Sequence, residues 1–404
     1  MRREHRDSRG RFFWRGLVGV ALALLASGCA SQAPPPPATP TRPAQALALA
    51  TPAAPPPPPA PLPTPTVAGP QATPTRSAAV STAPQTPLAS VKSWLYLISV
   101  NLKPETVAQI RDSRHDLVVL DFIPSERSNT RYPMADVIAQ LHNAPHPKLV
   151  LAYIDIGQAE EYRTYWQPGW GIGNPDWIAG DDPDEWEGNF PVAYWREEWR
   201  NIWLGPNGYL QAIVDAGFDG VYLDWVEAYS DDNVRTVARR DGVNPRREMV
   251  RWVGDIAQFG RARRPDFLVV AQNAAELVEL DEYVAIIDAL AQEQTWFDGA
   301  ADDDPPGDCP LPRTSAEKNS TAYRQSLSPG CLKMYDNRQS TLHMSSEEYL
   351  YHLTMARDKG KPVFTVDYAL KPENVASVYQ MSRSLGFIPF VSNRHLDRFV
   401  APVP

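Results

Sequence analysis

The sequence has few of the residues that bind transition metals or perform thiol chemistry. It contains three cysteines and seven histidines in 404 residues, and they do not show the spacing of a zinc site. Cys309 and Cys331 lie in one loop that is rich in proline and glycine. In an oxidising compartment we expect these two cysteines to form a disulfide. The sequence therefore predicts no bound metal and no other cofactor.

The sequence also lacks an apolar run long enough to cross a bilayer as a helix, which takes about twenty residues. The apolar run 17–26 follows six arginines and precedes Ser27, Gly28 and Cys29. This order is typical of a bacterial export signal, and the small residues before Cys29 resemble the site at which lipoprotein signal peptidase cuts. We expect residues 1–28 to be a signal peptide that is removed and Cys29 to be lipidated. A secreted protein with a free Cys29 is the alternative.

Residues 29–90 contain no aromatic or acidic side chains and consist mainly of proline, alanine, threonine and serine. Such a segment cannot bury enough apolar surface to offset the entropy of ordering the chain. We expect residues 29–90 to be a disordered, polyproline-like tether and residues 91–404 to be the folded domain. The expected location is outside the cytoplasm, with the lipid anchor in the membrane of a bacterial cell envelope.

Positive charge is scarce once the predicted signal peptide is removed. The whole chain has a formal net charge of -9, and residues 1–28 carry six arginines and two acids, so their removal leaves -13. A strongly acidic protein repels nucleic acid, whereas a neutral or cationic polymer meets no electrostatic barrier. The charge therefore argues against nucleic acid as a partner and suits an amino-sugar polymer. We expect the protein to be a monomer.

Short apolar runs alternate with helix-like segments from Val91 onward, which is the pattern of βα units around a parallel sheet. A closed barrel needs eight strands, and roughly 310 residues allow for such a barrel with insertions. The surplus lies between Gly157 and Phe218 and between Gln294 and Lys361. The sequence predicts an α/β fold, a (β/α)8 TIM-type barrel with long insertions after strands 3 and 6. The eight predicted strands are Trp94 to Val100, Leu117 to Ile123, Leu149 to Ile156, Gly220 to Trp225, Phe267 to Asn273, Val284 to Ala291, Val363 to Tyr368 and Phe387 to Val391.

Acidic residues recur where the predicted strands end, at the face where barrel enzymes build their sites. Crowded carboxylates repel each other, so a ring of them indicates cation binding or acid–base chemistry. Glycosidic cleavage needs one protonated carboxyl for the leaving oxygen and one carboxylate for the sugar carbon or a water. Any one of these acids could instead cap a helix or pair with Arg127, Arg163 or Arg394. The acids are Asp121, Asp155, Asp224, Glu293 and Asp367.

The first predicted insertion is dense in tryptophan. Trp195, Trp199 and Trp203 are spaced four apart, as on the buried face of a helix. Four others are assigned to a cleft in which pyranose rings stack on aromatic faces, and they are Trp166, Trp170, Trp177 and Trp186.

Three segments of the sequence resemble a known family. They are residues 152–163 (AYIDIGQAEEYR), residues 186–190 (WEGNF) and residues 217–224 (GFDGVYLD). They are similar to the endo-α-1,4-polygalactosaminidase-like hydrolases, which are glycoside hydrolase family 114 and its bacterial relatives. The resemblance covers nearly all of residues 91–404. It implies a barrel enzyme that acts on α-1,4-linked galactosamine polymers.

The resemblance also implies roles for individual residues. Asp224, at the end of the fourth strand, would be the nucleophile, and Glu293, at the end of the sixth, would be the general acid/base of a double displacement. The residues expected to bind substrate are Asp121, Tyr153, Asp155, Trp186, Glu227, Asn273, Asp367 and Tyr368.

The sequence departs from the family pattern at three positions. Asp155 replaces a small hydroxyl residue, Gln158 replaces a glutamate and Glu227 replaces an aspartate. Asp155 could bind a substrate amine or tune Asp224, and Glu227 is a rival catalytic group. The changes at Asp155 and Gln158 also support an alternative function, that of a non-catalytic polysaccharide-binding lipoprotein on a barrel scaffold. An aldolase or a phosphate-binding isomerase is disfavoured, because no glycine-rich phosphate loop or strand-end lysine set stands out.

Overall fold

Eight parallel strands form the centre of the protein, and its computed structural model describes residues 86–98, 102–183, 186–299, 307–337 and 340–403. Neighbours in the sheet follow the order of the chain from the first strand to the eighth. The strands are β1 (Trp94–Leu97), β2 (Leu117–Asp121), β3 (Leu149–Asp155), β4 (Gly220–Asp224), β5 (Leu268–Gln272), β6 (Ala289–Glu293), β7 (Val363–Tyr368) and β8 (Ile388–Ser392).

The first and last strands face each other and bring the sheet close to a closed barrel. Trp94 Nε1 donates a hydrogen bond to the carbonyl of Ile388 at 3.0 Å. The amide of Ile98 donates to the carbonyl of Leu396 at 3.1 Å. The predicted (β/α)8 barrel is confirmed, with helices between the strands and the two long insertions where the sequence placed them.

Helices connect the strands. Their bounds are α1 (Pro104–Asp112), α2 (Met134–His142), α3 (Glu197–Leu204), α4 (Tyr209–Asp215), α5 (Asp232–Asp241), α6 (Pro245–Arg263), α7 (Asp281–Ile286), α8 (Thr321–Ser326), α9 (Pro329–Tyr335), α10 (Ser346–Asp358) and α11 (Pro372–Ser384). Short 3-10 helices cover Pro87–Ser90, Ile123–Ser125, Val226–Ser230, Ala275–Glu279 and Thr341–His343. Among the described residues, no helix is both long enough and apolar enough to span a membrane.

The sixth strand begins later than the sequence predicted. The prediction ran from Val284 to Ala291, whereas β6 covers Ala289–Glu293 and the preceding residues form α7. Tyr283 and Val284 are buried by this helix. A short apolar run buries its side chains equally well in a strand and in one helical turn, so the pattern alone could not separate the two.

The two insertions add small elements next to the barrel. The first contains an antiparallel pair of short strands, Gln158–Glu160 and Asn189–Pro191, followed by α3 and α4. The second contains the antiparallel pair Phe297–Asp298 and Cys309–Pro310, followed by α8, α9 and α10. The predicted disulfide joins Cys309 to Cys331.

The N-terminal segments predicted from composition fall almost wholly outside the described residues. This applies to the signal peptide at 1–28, to Cys29 and to most of the tether at 29–90. The predicted end of the tether is too late, because Leu88 is fully buried in the main hydrophobic core. The 3-10 helix Pro87–Ser90 therefore belongs to the folded domain.

Aromatic side chains fill the interior of the barrel. The ring of Trp94 lies 5.1 Å from that of Phe364 and 5.5 Å from that of Phe390. The rings of Tyr96 and Tyr222 are 4.8 Å apart. All five side chains are buried. This apolar packing excludes water beneath the mouth, which increases the desolvation of any carboxyl group above it.

Asp219 ties several elements together where β4 begins. Its Oδ2 accepts the amide of Val150 at 2.7 Å and lies 2.9 Å from His142 Nε2. Its Oδ1 accepts Nη2 of Arg264 at 2.6 Å. A buried carboxylate with these partners stabilises the fold, because its removal leaves the buried amide of Val150 without its acceptor and takes away the closer of two ion-pair partners of Arg264.

We expect Asp219→Ala to lower the free energy of unfolding by about 3 kcal/mol. Asp266→Ala is the matched control, because Asp266 also pairs with Arg264, at 3.1 Å, but its side chain is 70% exposed. The control should change stability by less than about 0.5 kcal/mol. Urea titration followed by tryptophan fluorescence measures both. Equal urea midpoints for the two variants would contradict this account of Asp219.

Candidate active site

Polar side chains end five neighbouring strands at the mouth of the barrel. β3 ends at Asp155, β4 at Asp224, β5 at Gln272, β6 at Glu293 and β7 at Tyr368. The carboxyl ends of parallel barrel strands meet at one face, where catalytic residues of this fold lie. The structure thus places both predicted catalytic residues in one site.

Asp224 accepts hydrogen bonds on both of its carboxyl oxygens. Oδ2 accepts the hydroxyl of Tyr153 at 2.6 Å. Oδ1 accepts Nε2 of Gln272 at 2.6 Å and the amide of Trp225 at 2.8 Å. Hydrogen bonds donated to a carboxylate favour its ionised form. These contacts suit a carboxylate that acts while charged.

Glu293 accepts hydrogen bonds from three side chains. Oε1 accepts the hydroxyl of Tyr368, and Oε2 accepts Gln272 Nε2 at 2.8 Å and Asn273 Nδ2 at 3.2 Å. Burial of the carboxyl group, followed by the nearby charge of Asp224, raises the pKa of Glu293 to about 7. Near neutral pH a substantial fraction of Glu293 therefore holds a proton, as a general acid must.

The amide nitrogen of Gln272 bridges the two catalytic candidates. Because it lies 2.6 Å from Asp224 Oδ1 and 2.8 Å from Glu293 Oε2, these two oxygens are at most 5.4 Å apart. If the bonds follow the two N–H directions of one planar amide, the separation is about 4.7 Å. Retaining glycosidases hold their carboxyl groups about 5 to 5.5 Å apart, and inverting ones about 6.5 to 9.5 Å. The geometry matches the retaining class.

A third carboxyl group, that of Glu227, lies beside this pair on the 3-10 helix that follows β4. Its Oε1 accepts Asn273 Nδ2 at 2.8 Å, and its Oε2 is buried without a hydrogen-bond partner in the described part of the chain. Burial, followed by the charge of Asp224, raises the pKa of Glu227 well above its usual range. This environment favours the protonated form, which disfavours Glu227 as the nucleophile.

The backbone is strained immediately after β4, β5 and β6. The residues that follow these strands are Trp225, Asn273 and Gln294, whose φ angles are 57°, 60° and 53°. A residue other than glycine costs about 1 to 3 kcal/mol in such a conformation, and this strain concentrates at functional sites. The three turns flank the three side chains that form the carboxyl–amide–carboxyl bridge.

Asp121 lies in a buried ion-pair network beside the mouth. Its Oδ1 accepts Nη1 of Arg163 at 2.8 Å, and Arg163 Nε donates to Glu160 Oε2 at 2.7 Å. All three side chains are buried. The structure thus shows the ion pair with Arg163 that the sequence left as the alternative, and the sugar contact of Asp121 stays a prediction.

Asp155 and Asp367 both accept backbone amides of the loops at the rim. Asp155 Oδ1 accepts the amides of Gly157 at 3.0 Å and Gln158 at 2.7 Å. Asp367 Oδ1 accepts the amides of Trp296 at 2.6 Å and Phe297 at 3.0 Å. Because side chains alternate along a strand, Asp367 points away from the side on which its neighbour Tyr368 meets Glu293. Both carboxyl groups thus fix loops at the rim, and their contacts with sugar stay predictions.

Three of the four tryptophans assigned to the cleft pack within the first insertion. Trp177 is 2% exposed, and its ring lies 5.0 Å from that of Trp170. Trp166 stacks on Phe190 at 5.0 Å. These rings pack against the hydrophobic core, so their density reflects packing more than sugar binding.

Trp186 is placed differently, at the rim where the first insertion meets the loop after β8. The guanidinium carbon of Arg394 lies 5.6 Å from its ring centroid, and the ring of His395 lies 5.6 Å away. The charge of Arg394 also lowers the pKa of Glu293, against the two larger effects that raise it. Trp186 therefore stays a candidate for sugar stacking.

Sequence reasoning missed Gln272. The signal was present, because Gln272 ends the strand between those that carry Asp224 and Glu293, and an amide is an unusual side chain to bury there. No group of three or more histidine, cysteine, aspartate or glutamate side chains within the described ranges is arranged to hold a metal ion.

Two known proteins are similar in sequence to most of this chain. An uncharacterized protein of Deinococcus radiodurans is 33% identical over 339 residues, which cover 83% of this chain and 92% of the relative. An uncharacterized protein of Thermotoga maritima is 27% identical over 317 residues, which cover 76% of this chain and 81% of the relative.

Among solved structures, the crystal structure of Aspergillus fumigatus Ega3 in complex with galactosamine is similar in fold. It has a TM-score of 0.51 and 17% sequence identity, and the match covers 80% of this chain and 99% of Ega3. The model of glycoside-hydrolase family GH114 matches residues 73–402. This protein is a glycoside hydrolase and belongs to family GH114.

Proposed function

We propose that this glycoside hydrolase cuts internal bonds of α-1,4-linked galactosamine polymers by double displacement. The observation that carries the proposal is the separation of Asp224 Oδ1 and Glu293 Oε2, which is at most 5.4 Å. Membership of family GH114 supports the reaction class. The similar fold of Ega3, whose structure contains galactosamine, supports the sugar.

Asp224 and Glu293 have distinct roles in the proposed reaction. Asp224 attacks the anomeric carbon while Glu293 gives its proton to the departing glycosidic oxygen, so one chain end leaves and a glycosyl ester forms on Asp224. Glu293, now ionised, then takes a proton from water, whose oxygen displaces Asp224 and restores both groups. Tyr153 and Tyr368 each donate a hydroxyl to one of the two carboxyls and orient it.

The charge of the mouth supports a cationic substrate. The carboxyl groups of Asp155, Glu227 and Glu293 all lie close enough to Asp224 for its charge to raise their pKa values. An ammonium group on the sugar reduces this mutual repulsion when it enters, whereas an anionic sugar increases it. The acidic chain as a whole attracts the same class of polymer.

The proposed setting is the outer side of a bacterial membrane. Cleavage before Cys29 and its lipidation, followed by the proline-rich tether, hold the barrel near the envelope and leave it free to reach extended polymers. The order of arginines, apolar run and small residues at 1–29 supports this placement.

We expect Asp224→Asn and Glu293→Gln each to lower kcat on galactosamine oligomers by about a thousandfold or more, because each removes a group that bonds to or protonates the substrate. Product release measured by mass spectrometry tests this, with Asp266→Asn as an exposed control. Wild-type turnover in both variants would refute the assigned roles. Binding of oligomers by the wild-type protein without any product would favour the non-catalytic polysaccharide-binding alternative.

We expect kcat/KM to fall about tenfold per pH unit above pH 7, because Glu293 must be protonated and its pKa is raised to about 7. Below pH 7 Glu293 is mostly protonated, so its titration no longer changes kcat/KM. The control is Glu293→Gln assayed with an activated aryl glycoside, whose leaving group needs no proton. Its kcat/KM should not fall above pH 7. If kcat/KM of this variant still falls above pH 7, the titration belongs to another residue.

A further inference from the structure

We propose that Gln272 is a positioning residue for the reaction, which sets the distance between Asp224 and Glu293 by donating one N–H to each. The inference rests on the proposed function, because it specifies how the carboxyl pair of that mechanism is held. Gln272 itself neither bonds to substrate nor transfers a proton. Its side chain acts only through the two groups that do.

The sheet order puts Gln272 where such a bridge is possible. β5 lies between β4 and β6, which carry the two carboxyl groups at their ends. Gln272 pairs with Ala291 of β6, two residues before Glu293, and the preceding Ala271 pairs with Leu223 of β4, directly before Asp224. A residue at the end of β5 is therefore next to both carboxyl-bearing strands at once.

The amide orientation is fixed by charge. With Nε2 facing the carboxyls, Gln272 makes two hydrogen bonds, at 2.6 Å and 2.8 Å. The reverse orientation would point its carbonyl oxygen at the ionised carboxylate of Asp224, which repels it. In the observed orientation, Oε1 is buried and has no hydrogen-bond partner among the described residues.

The unpaired Oε1 indicates that Gln272 is present for its function and not only to fill space in the core. Gln272 is 1% exposed, and an unpaired buried carbonyl oxygen is unfavourable for folding. Methionine would fill a similar volume without that cost. Packing alone therefore does not account for an amide at this position, whereas two donors aimed at two carboxyls do.

The bridge must also be uncharged. A lysine at this position would attract both carboxyls but would hold Glu293 ionised, which removes the general acid. A glutamate would add a third negative charge. The other side-chain donors described above, Tyr153 to Asp224 and Tyr368 and Asn273 to Glu293, are also neutral.

Other ionisable groups act on Glu293 and Asp224 from the surrounding elements and stay unchanged in the test. They are Tyr96 of β1, Tyr153 and Asp155 of β3, Tyr222 of β4, Glu227 of the 3-10 helix after β4, Tyr349 of α10, Tyr368 of β7 and Arg394 after β8.

The test compares Gln272→Met with wild type in two measurements. The first is a carbon-13 titration of glutamate carboxyls in the free protein, with the signal of Glu293 identified by its loss in Glu293→Gln. The ionised carboxyl loses a donor in Gln272→Met, so we expect the pKa of Glu293 to rise by about one pH unit. The second is kcat on galactosamine oligomers, which we expect to fall about a hundredfold.

Gln158→Met is the matched control. Gln158 is also buried at the mouth, but its amide donates to Asp182 at 3.1 Å. We expect Gln158→Met to leave the titration of Glu293 unchanged. A second variant, Gln272→Glu, preserves the shape and guards against a folding failure of Gln272→Met. Its carboxyl adds charge to the pair, so kcat at neutral pH should fall at least a hundredfold and partly recover as the pH is lowered.

Wild-type titration of Glu293 in Gln272→Met would overturn the inference, whether or not kcat falls, because a structural defect alone lowers turnover without moving that titration. Wild-type turnover by Gln272→Glu would overturn it as well. If the wild-type protein does not cleave galactosamine oligomers, the proposed substrate fails, whereas the titration of the free protein still decides whether Gln272 acts on Glu293.

Discussion

Repulsion between carboxyl groups at the barrel mouth is the constraint on which the rest of the site depends. Asp224, Glu227 and Glu293 are half-buried and lie close together, and desolvation and neighbouring charge raise the pKa of both glutamates. The structure relieves the repulsion with amide and hydroxyl donors, of which Gln272 serves two carboxyls at once. Neutral donors leave one carboxyl charged and its neighbour protonated, which is the division of labour that glycosidic cleavage requires.

The rest of the fold stabilises this cluster of carboxyl groups. The aromatic interior excludes water beneath the mouth, and loops at the rim are fixed by Asp155 and Asp367 through backbone amides. The residues that follow β4, β5 and β6 have left-handed backbone conformations, which add strain at the mouth of the barrel. A large buried core and a parallel sheet compensate for these local costs, as is usual where a rigid scaffold supports a strained site.

The sequence predicted the scaffold better than the contacts. Apolar runs located the strands, and the acids that end β4 and β6 pointed to the mouth, because both signals are local. The start of β6 was wrong since Val284 lies in an apolar run that suits a strand or a helical turn. Asp121 looked equivalent to Asp224, yet its partner Arg163 is 42 residues away along the chain. Gln272 carries no charge, and its significance depends on which strands lie beside it.

The anomeric form of the first product tests the central claim most directly. Asp224 Oδ1 and Glu293 Oε2 are at most 5.4 Å apart, the spacing of retaining and not of inverting glycosidases, so the account predicts double displacement. Proton NMR during the first minutes of hydrolysis of an α-linked galactosamine oligomer, before mutarotation, should show the α-anomer of the new reducing end. Initial release of the β-anomer would contradict the account, because it requires direct attack by water.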